Sequence, residues 1–137
     1  MSLLGTGDWQ PVPLVHERIE LTATLDAPRR ARVLARDLLG PHVDDRRRND
    51  LLVLVTELVT NAVRHAGLAR DDTVVLHLAA ADHVVRAEVC DGGPGFEPVE
   101  RAPGPDGGFG LMLLRTLSSR WGVELGDATC VWFELDS

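Results

Sequence analysis

No apolar run in this chain approaches the roughly 18 residues of a membrane-spanning helix, so no membrane segment is expected. The amino terminus has neither a basic stretch nor an apolar core of the export-signal kind, and a cytoplasmic location is the expectation. Excess positive charge is lacking too: 14 Lys and Arg stand against 21 Asp and Glu, for a net charge of −7. That balance argues against non-specific binding to nucleic acid. The strong basic clusters, Arg29-Arg30-Arg32 and Arg46-Arg47-Arg48, fall at predicted helix starts and read as solvated faces or partner contacts. Cysteine is scarce. Cys90 and Cys130 lie far apart with no CxxC pair and no Cys/His ligand spacing, so reduced thiols are expected and a structural zinc site is not. A Walker loop, GxxxxGK[ST], occurs nowhere.

What remains, in 137 residues with 45% hydrophobic and 26% charged side chains, suits one globular domain with a real core. Residues 1–15 carry Gly and Pro without a sustained period and read as a loose leader; residues 16–137 form the domain. In "ERIELTATL", Ile19, Leu21, Ala23 and Leu25 alternate with polar residues, the period of a half-buried strand. Asp26 offers an N-cap, Pro28 suits a first turn, and a helix over about 27–39 ends at Gly40-Pro41. A long second helix is predicted over about 45–66. "TVVLHLAA" and "VVRAEVCD" form a hairpin about Ala81-Asp82-His83, followed by a Gly/Pro-rich stretch, 92–108, long enough to be functional. A third helix over about 109–121 ends at Gly122, and "VEL", a Gly126-Asp127 turn and "TCVWFEL" finish the chain. The order β-α-α-β-β-α-β-β predicts an α+β fold: two layers, a mixed but mostly antiparallel sheet with helices on one face.

Three stretches carry chemistry. In "ELVTNAVRHAG", Glu57, Asn61 and His65 recur every fourth residue, with Arg64 beside them, and stack on one helix face within about 100° of arc. Leu54 and Val53 edge this stripe, which argues against a plain solvated face; a ligand, a metal or ordered water should sit opposite Glu57 and Asn61. In "DGGPG", Asp91 shares a strand face with Val85, Ala87 and Val89 and so ends an apolar row. Gly93 and Gly95 permit close approach of a flat ligand, and an ionised acceptor there suits a planar ring bearing an exocyclic amine. In "GGFGL", Gly107 to Leu111, small residues at a helix start leave N–H groups for an anion, most naturally a phosphate. Each motif taken alone is also what a polar face, an Asp-Gly turn or a helix cap would look like.

In this order and spacing the three resemble the N box and the two glycine boxes of the GHKL ATPase superfamily, the Bergerat fold. With the tail "LLRTLSSRWGVELGDATCVWFEL", the chain is similar over about 25–135 to small bacterial anti-sigma-factor serine/threonine kinases. The resemblance implies ATP and Mg²⁺ as cofactors. It makes Asn61 the magnesium ligand and Glu57 the base for the attacking hydroxyl. Asp91 would accept the adenine amino group with Gly93 and Gly95 beside it; Gly108, Gly110 and Leu111 would lie at the phosphates, and Thr129 near adenine. Arg64 and His65 match family positions, His65 serving either a structural hydrogen bond or a phosphate contact. Two departures stand out: Phe109 in the middle of the second glycine box, and "GDATCVW" where the relatives end in a Gly-Lys-Thr-like turn.

The implied function is phosphorylation of a STAS-type anti-sigma-factor antagonist, sequestration of a sigma factor, or both. Homodimerisation is left open, and neither direct nucleic-acid binding nor membrane binding is expected. The alternative is a non-catalytic, nucleotide-dependent protein-binding module. The catalytic half of a sensor histidine kinase is disfavoured, since no sensor or long dimerisation helix is seen and the lid region is short.

Overall fold

The computed structural model describes residues 13–65, 73–91, 110–126 and 128–137. Strand β1 (Val15–Thr22) leads into helix α1 (Ala27–Leu39), a short 3-10 turn (Gly40–His42) and helix α2 (Asp45–His65). The hairpin β2 (Thr73–Ala81) and β3 (Val84–Asp91) follows, then α3 (Gly110–Leu117), β4 (Arg120–Leu125) and β5 (Thr129–Asp136). The five strands form one sheet in the order β1-β2-β3-β5-β4. The α+β architecture is the one expected, except that each pairing among the described strands is antiparallel rather than mixed.

One face of the sheet carries the core. Leu21, Leu76, Leu78, Val85, Ala87, Val89, Val131, Phe133 and Leu135 point from the strands toward Ala31, Ala35 and Leu39 of α1 and Leu51, Leu54, Val55 and Leu58 of α2. Alternation along the strands aims these residues at the helices, and the helical period of α1 and α2 meets them. The β2–β3 connection needs only Asp82 and His83, and His83 takes the left-handed region at φ 62° to close it.

Four local readings are corrected. Strand β1 begins at Val15, opposite Ala80, and stops at Thr22; Leu25 lies past its end in a turn, 94% exposed. Asp26 stands at the α1 N-cap position but with helical dihedrals, φ −84° and ψ −15°, and without a side-chain capping bond. Its carboxylate is 3.4 Å from Arg29 instead. The third helix ends at Leu117, and Trp121 and Gly122 belong to β4. Ser118 donates its N–H to Leu114, and one residue later Ser119 donates to Glu134 of β5, so the chain exchanges helix for sheet within two residues. Finally, Cys90 and Cys130 are register partners on β3 and β5 and are joined in a disulfide. The expectation of reduced thiols fails because strands distant in sequence are neighbours in the sheet.

The helix-free face is also buried where β3 crosses it. Arg86 and Glu88 are enclosed although alternation puts them opposite the core. Arg86 stacks over Trp132 at 4.3 Å and donates to Glu134 at 2.9 Å. Arg120 reaches the same carboxylate at 2.6 Å and also pairs with Asp136. Trp132 lies across Gly122, where a β-carbon would come within 2.7 Å of the indole.

Candidate active site

The polar stripe of α2 runs along one edge of the core-facing surface. Leu54 is fully buried on its inner side, whereas Val53 on the outer side is 43% exposed, so the stripe borders apolar packing on one side only. Glu57 and Asn61 are half-buried there, and Arg64 points to solvent. The side chain of His65 lies outside the described residues, as do Gly93, Gly95 and Gly108.

Polar groups along α2 differ in how they are satisfied. The hydroxyls of Thr56 and Thr60 donate back to the carbonyls of Leu52 and Thr56, each at 2.7 Å. Asn61 Oδ1 is shut off from solvent and accepts no hydrogen bond among the described residues. An unmet buried acceptor costs roughly 1–3 kcal/mol, and it is the kind of oxygen that a hard cation takes. Asn61 therefore fits a magnesium ligand on the state of its own oxygen. Glu57 stands one turn earlier on the same face, near enough in sequence to act on a group bound beside Asn61.

Asp91 is the last residue of β3 and is 2% exposed at the end of the apolar row formed by Val85, Ala87 and Val89. Its register partner across β5 is Thr129, which is 6% exposed. A buried carboxylate and a buried hydroxyl thus sit side by side at the same end of the sheet. Helix α3 packs on α2 and opens at Gly110, with Leu111 half-buried against the core and Leu114 fully buried. The structure accordingly keeps Glu57 and Asn61 on one helix, pairs Asp91 with Thr129, and sets the start of α3 at the second glycine box.

Two groups escaped the sequence reading. Arg47 donates to the carbonyls of Asp136 (3.0 Å) and Leu117 (2.9 Å), to Ser119 Oγ (3.0 Å) and to Asp50 (3.1 Å). It is a structural tie between α2, α3 and β5 rather than a solvated charge. Glu88 is buried on the helix-free face, and burial pushes its carboxyl up to about 8. Neighbouring His77 is held below its ordinary value, first by burial and then by Arg18 and His16. Only the sheet register brings these groups together.

The model of the histidine kinase-like ATPase domain family matches residues 21–135. No curated protein matches the chain. Among solved structures, the RsbU and RsbW domains of Rv1364c from Mycobacterium tuberculosis share 26% identity with it at a TM-score of 0.70. That match covers 90% of this chain but 32% of the other, so the chain spans about a third of its structural relative. Among the described residues no helix is long and apolar enough to cross a membrane. With the family matched across nearly its whole length and the fold shared with that RsbW-containing relative, the chain belongs to the histidine kinase-like ATPases of the GHKL superfamily.

Proposed function

We propose that the chain is an ATP- and magnesium-dependent serine/threonine kinase of the anti-sigma-factor type. It phosphorylates a STAS-type anti-sigma-factor antagonist, sequesters a sigma factor when that antagonist is phosphorylated, and works in the cytoplasm. The observation that carries this reading is the buried, unmet Asn61 Oδ1 one helical turn from the Glu57 carboxylate. The likeness to a structure that contains an RsbW domain supports the class of partner.

ATP would supply the phosphoryl group, with Mg²⁺ offsetting the charge of its phosphates. Asn61 would hold the metal through Oδ1; few protein ligands suffice, because Mg²⁺ keeps several waters and shares phosphate oxygens. Glu57 would orient the attacking hydroxyl and accept its proton. Asp91 would receive the adenine amino group, with Gly93 and Gly95 allowing the ring to approach and Thr129 adding a hydroxyl. Gly108, Gly110 and Leu111 would meet the phosphates, Gly110 as the first residue of α3. Arg64, exposed next to the stripe, and His65 would stand at the same end.

Incubation with labelled ATP, magnesium and candidate antagonist proteins tests the reading. Wild type should label an antagonist, and Glu57→Gln should lower transfer by about 10²–10⁴-fold while nucleotide affinity is kept. A Glu57→Gln variant as active as wild type removes Glu57 from the base role. Nucleotide-dependent partner binding without transfer by wild type makes the chain a binding module instead.

A further inference from the structure

The helix-free face of the sheet holds a polar cluster that the nucleotide site does not use. His77 of β2 is the register partner of Glu88 of β3. Cys90 lies two residues along β3 on the same face, and Cys130 of β5 is directly opposite Cys90. One ligand atom from each of His77, Glu88 and Cys90 falls within 4.8 Å of the others. The Cys130 sulfur, bonded to that of Cys90, adjoins this trio without being one of the atoms that lie within 4.8 Å of one another.

A second observation points to a guest. Glu88 is 0% exposed, and neither of its carboxylate oxygens has a hydrogen-bond partner among the described residues. His77 Nδ1 is buried and unpartnered as well, and His77 Nε2 stands 4.0 Å from Glu88 Oε1, too far for a hydrogen bond. A wholly enclosed carboxyl with both acceptors unmet is costly, and a buried carboxyl of this kind is normally paired or bound to a metal.

We propose that, when the Cys90–Cys130 bond is reduced, His77, Glu88, Cys90 and Cys130 form a four-ligand zinc site on the helix-free face. Two thiolates, an imidazole nitrogen and a carboxylate oxygen match the tetrahedral preference and intermediate softness of Zn²⁺. Ligands around tetrahedral zinc lie about 3.3–3.8 Å from one another, so the atoms of His77, Glu88 and Cys90 have to close by up to about 1 Å. The two sulfurs, about 2 Å apart in a disulfide, separate by about 1.7 Å on reduction, and Cys130 swings toward the other ligands. Disulfide and zinc exclude each other because both use the two sulfurs. A dithiol reductant supplies two electrons and two protons, leaves as its own disulfide, and converts the bridge to two thiols. Zinc then displaces the two thiol protons to solvent, and with them the Glu88 carboxyl proton wherever that group is protonated. Either clamp fastens β3 to β5 beside Asp91 and Thr129, which are the neighbours of the two cysteines. The ligands come from three strands, which explains why their spacing along the chain gives no zinc signature.

The full chain is prepared oxidised, and also reduced with dithiothreitol that is then removed without air. Each form is titrated with Co²⁺ and then with Zn²⁺, in the absence of nucleotide. The reduced protein is expected to bind one Co²⁺ with thiolate-to-metal charge-transfer bands and tetrahedral visible bands, both abolished by Zn²⁺; the oxidised protein is expected to bind none. Glu88→Gln and Cys130→Ser should each weaken zinc binding by more than about tenfold, since even outer partners of metal ligands are worth that much. Equal metal uptake by both redox forms overturns the site, as does a cobalt spectrum without thiolate bands. Unchanged zinc affinity in a Glu88→Gln variant with wild-type circular dichroism overturns it too. Should the variants fail to fold, the comparison of the two wild-type forms decides alone.

Discussion

Asn61, Glu57 and Asp91 illustrate how far single residues could be read. Four-residue spacing was enough to place Glu57 and Asn61 on one helix face, and two-residue spacing to put Asp91 at the end of an apolar strand row. Spacing could not tell that Val53 faces solvent, nor that Asn61 Oδ1 lacks a partner, because both depend on what packs against α2. Glu88 was illegible for a related reason: its position in β3 is opposite the core-facing row, and nothing in the sequence shows that this second face is enclosed there. For Asp91, replacement by Asn keeps an oxygen acceptor but exchanges a charged one for a weaker neutral one. Asp91→Asn should weaken ATP and ADP binding about tenfold or more, corresponding to the roughly 1.5–3 kcal/mol of a hydrogen bond to a charged group. Calorimetric titration of both proteins, with far-UV circular dichroism to check the fold, measures this. Equal binding of ATP and GTP by wild type would speak against Asp91 as the adenine acceptor.

Elements were legible where one period ran unbroken and obscure where two structures meet. Helix α1 spans the predicted residues, and so does β3. The junction of α3 and β4 was misread because "LSSRWG" can continue a helix locally; what stops it is the pairing of Arg120 to Leu125 with β5. Gly122 then serves not as a helix stop but as the place where the Trp132 indole lies on the backbone. Gly122→Ala should destabilise the fold by about 1–3 kcal/mol, the usual range for forcing an extra methyl into a filled space. Denaturant unfolding followed by tryptophan fluorescence provides the measurement, and a change below about 0.5 kcal/mol would mean that the indole yields freely. Asp26→Ala should behave in the opposite way. A working N-cap is worth about 1 kcal/mol, but Asp26 makes no capping bond and only an exposed ion pair with Arg29. Its loss should therefore cost under about 0.5 kcal/mol in the same assay.

At the scale of the whole molecule, one helical layer covers a five-stranded sheet, and the two faces of that sheet have different work. The packed face fixes α2, and Arg47 fastens the start of that helix to the ends of α3 and β5. The other face buries Glu88, whose carboxyl is raised to about 8 by burial, with Arg86 acting the other way and Glu124 adding to the rise. Because the folded value lies above the unfolded one, the folded chain binds the extra proton. Stability from this group is fully present below about pH 4.5, declines as pH rises, and is lost above about pH 8. In metal-free buffer the melting temperature of wild type should fall relative to Glu88→Gln between pH 5 and pH 8.5, as scanning calorimetry can follow. A constant difference across that range would show that Glu88 does not titrate there.

The central claim is that α2 presents a magnesium-dependent nucleotide site through Asn61, and titration of ATP with Mg²⁺ or with EDTA tests it most directly. Wild type should bind ATP more tightly with Mg²⁺ present, and Asn61→Ala should lose most of that gain while retaining its metal-independent affinity. An Asn61→Ala protein that keeps the full magnesium effect, or a wild type that binds no ATP, would contradict the account.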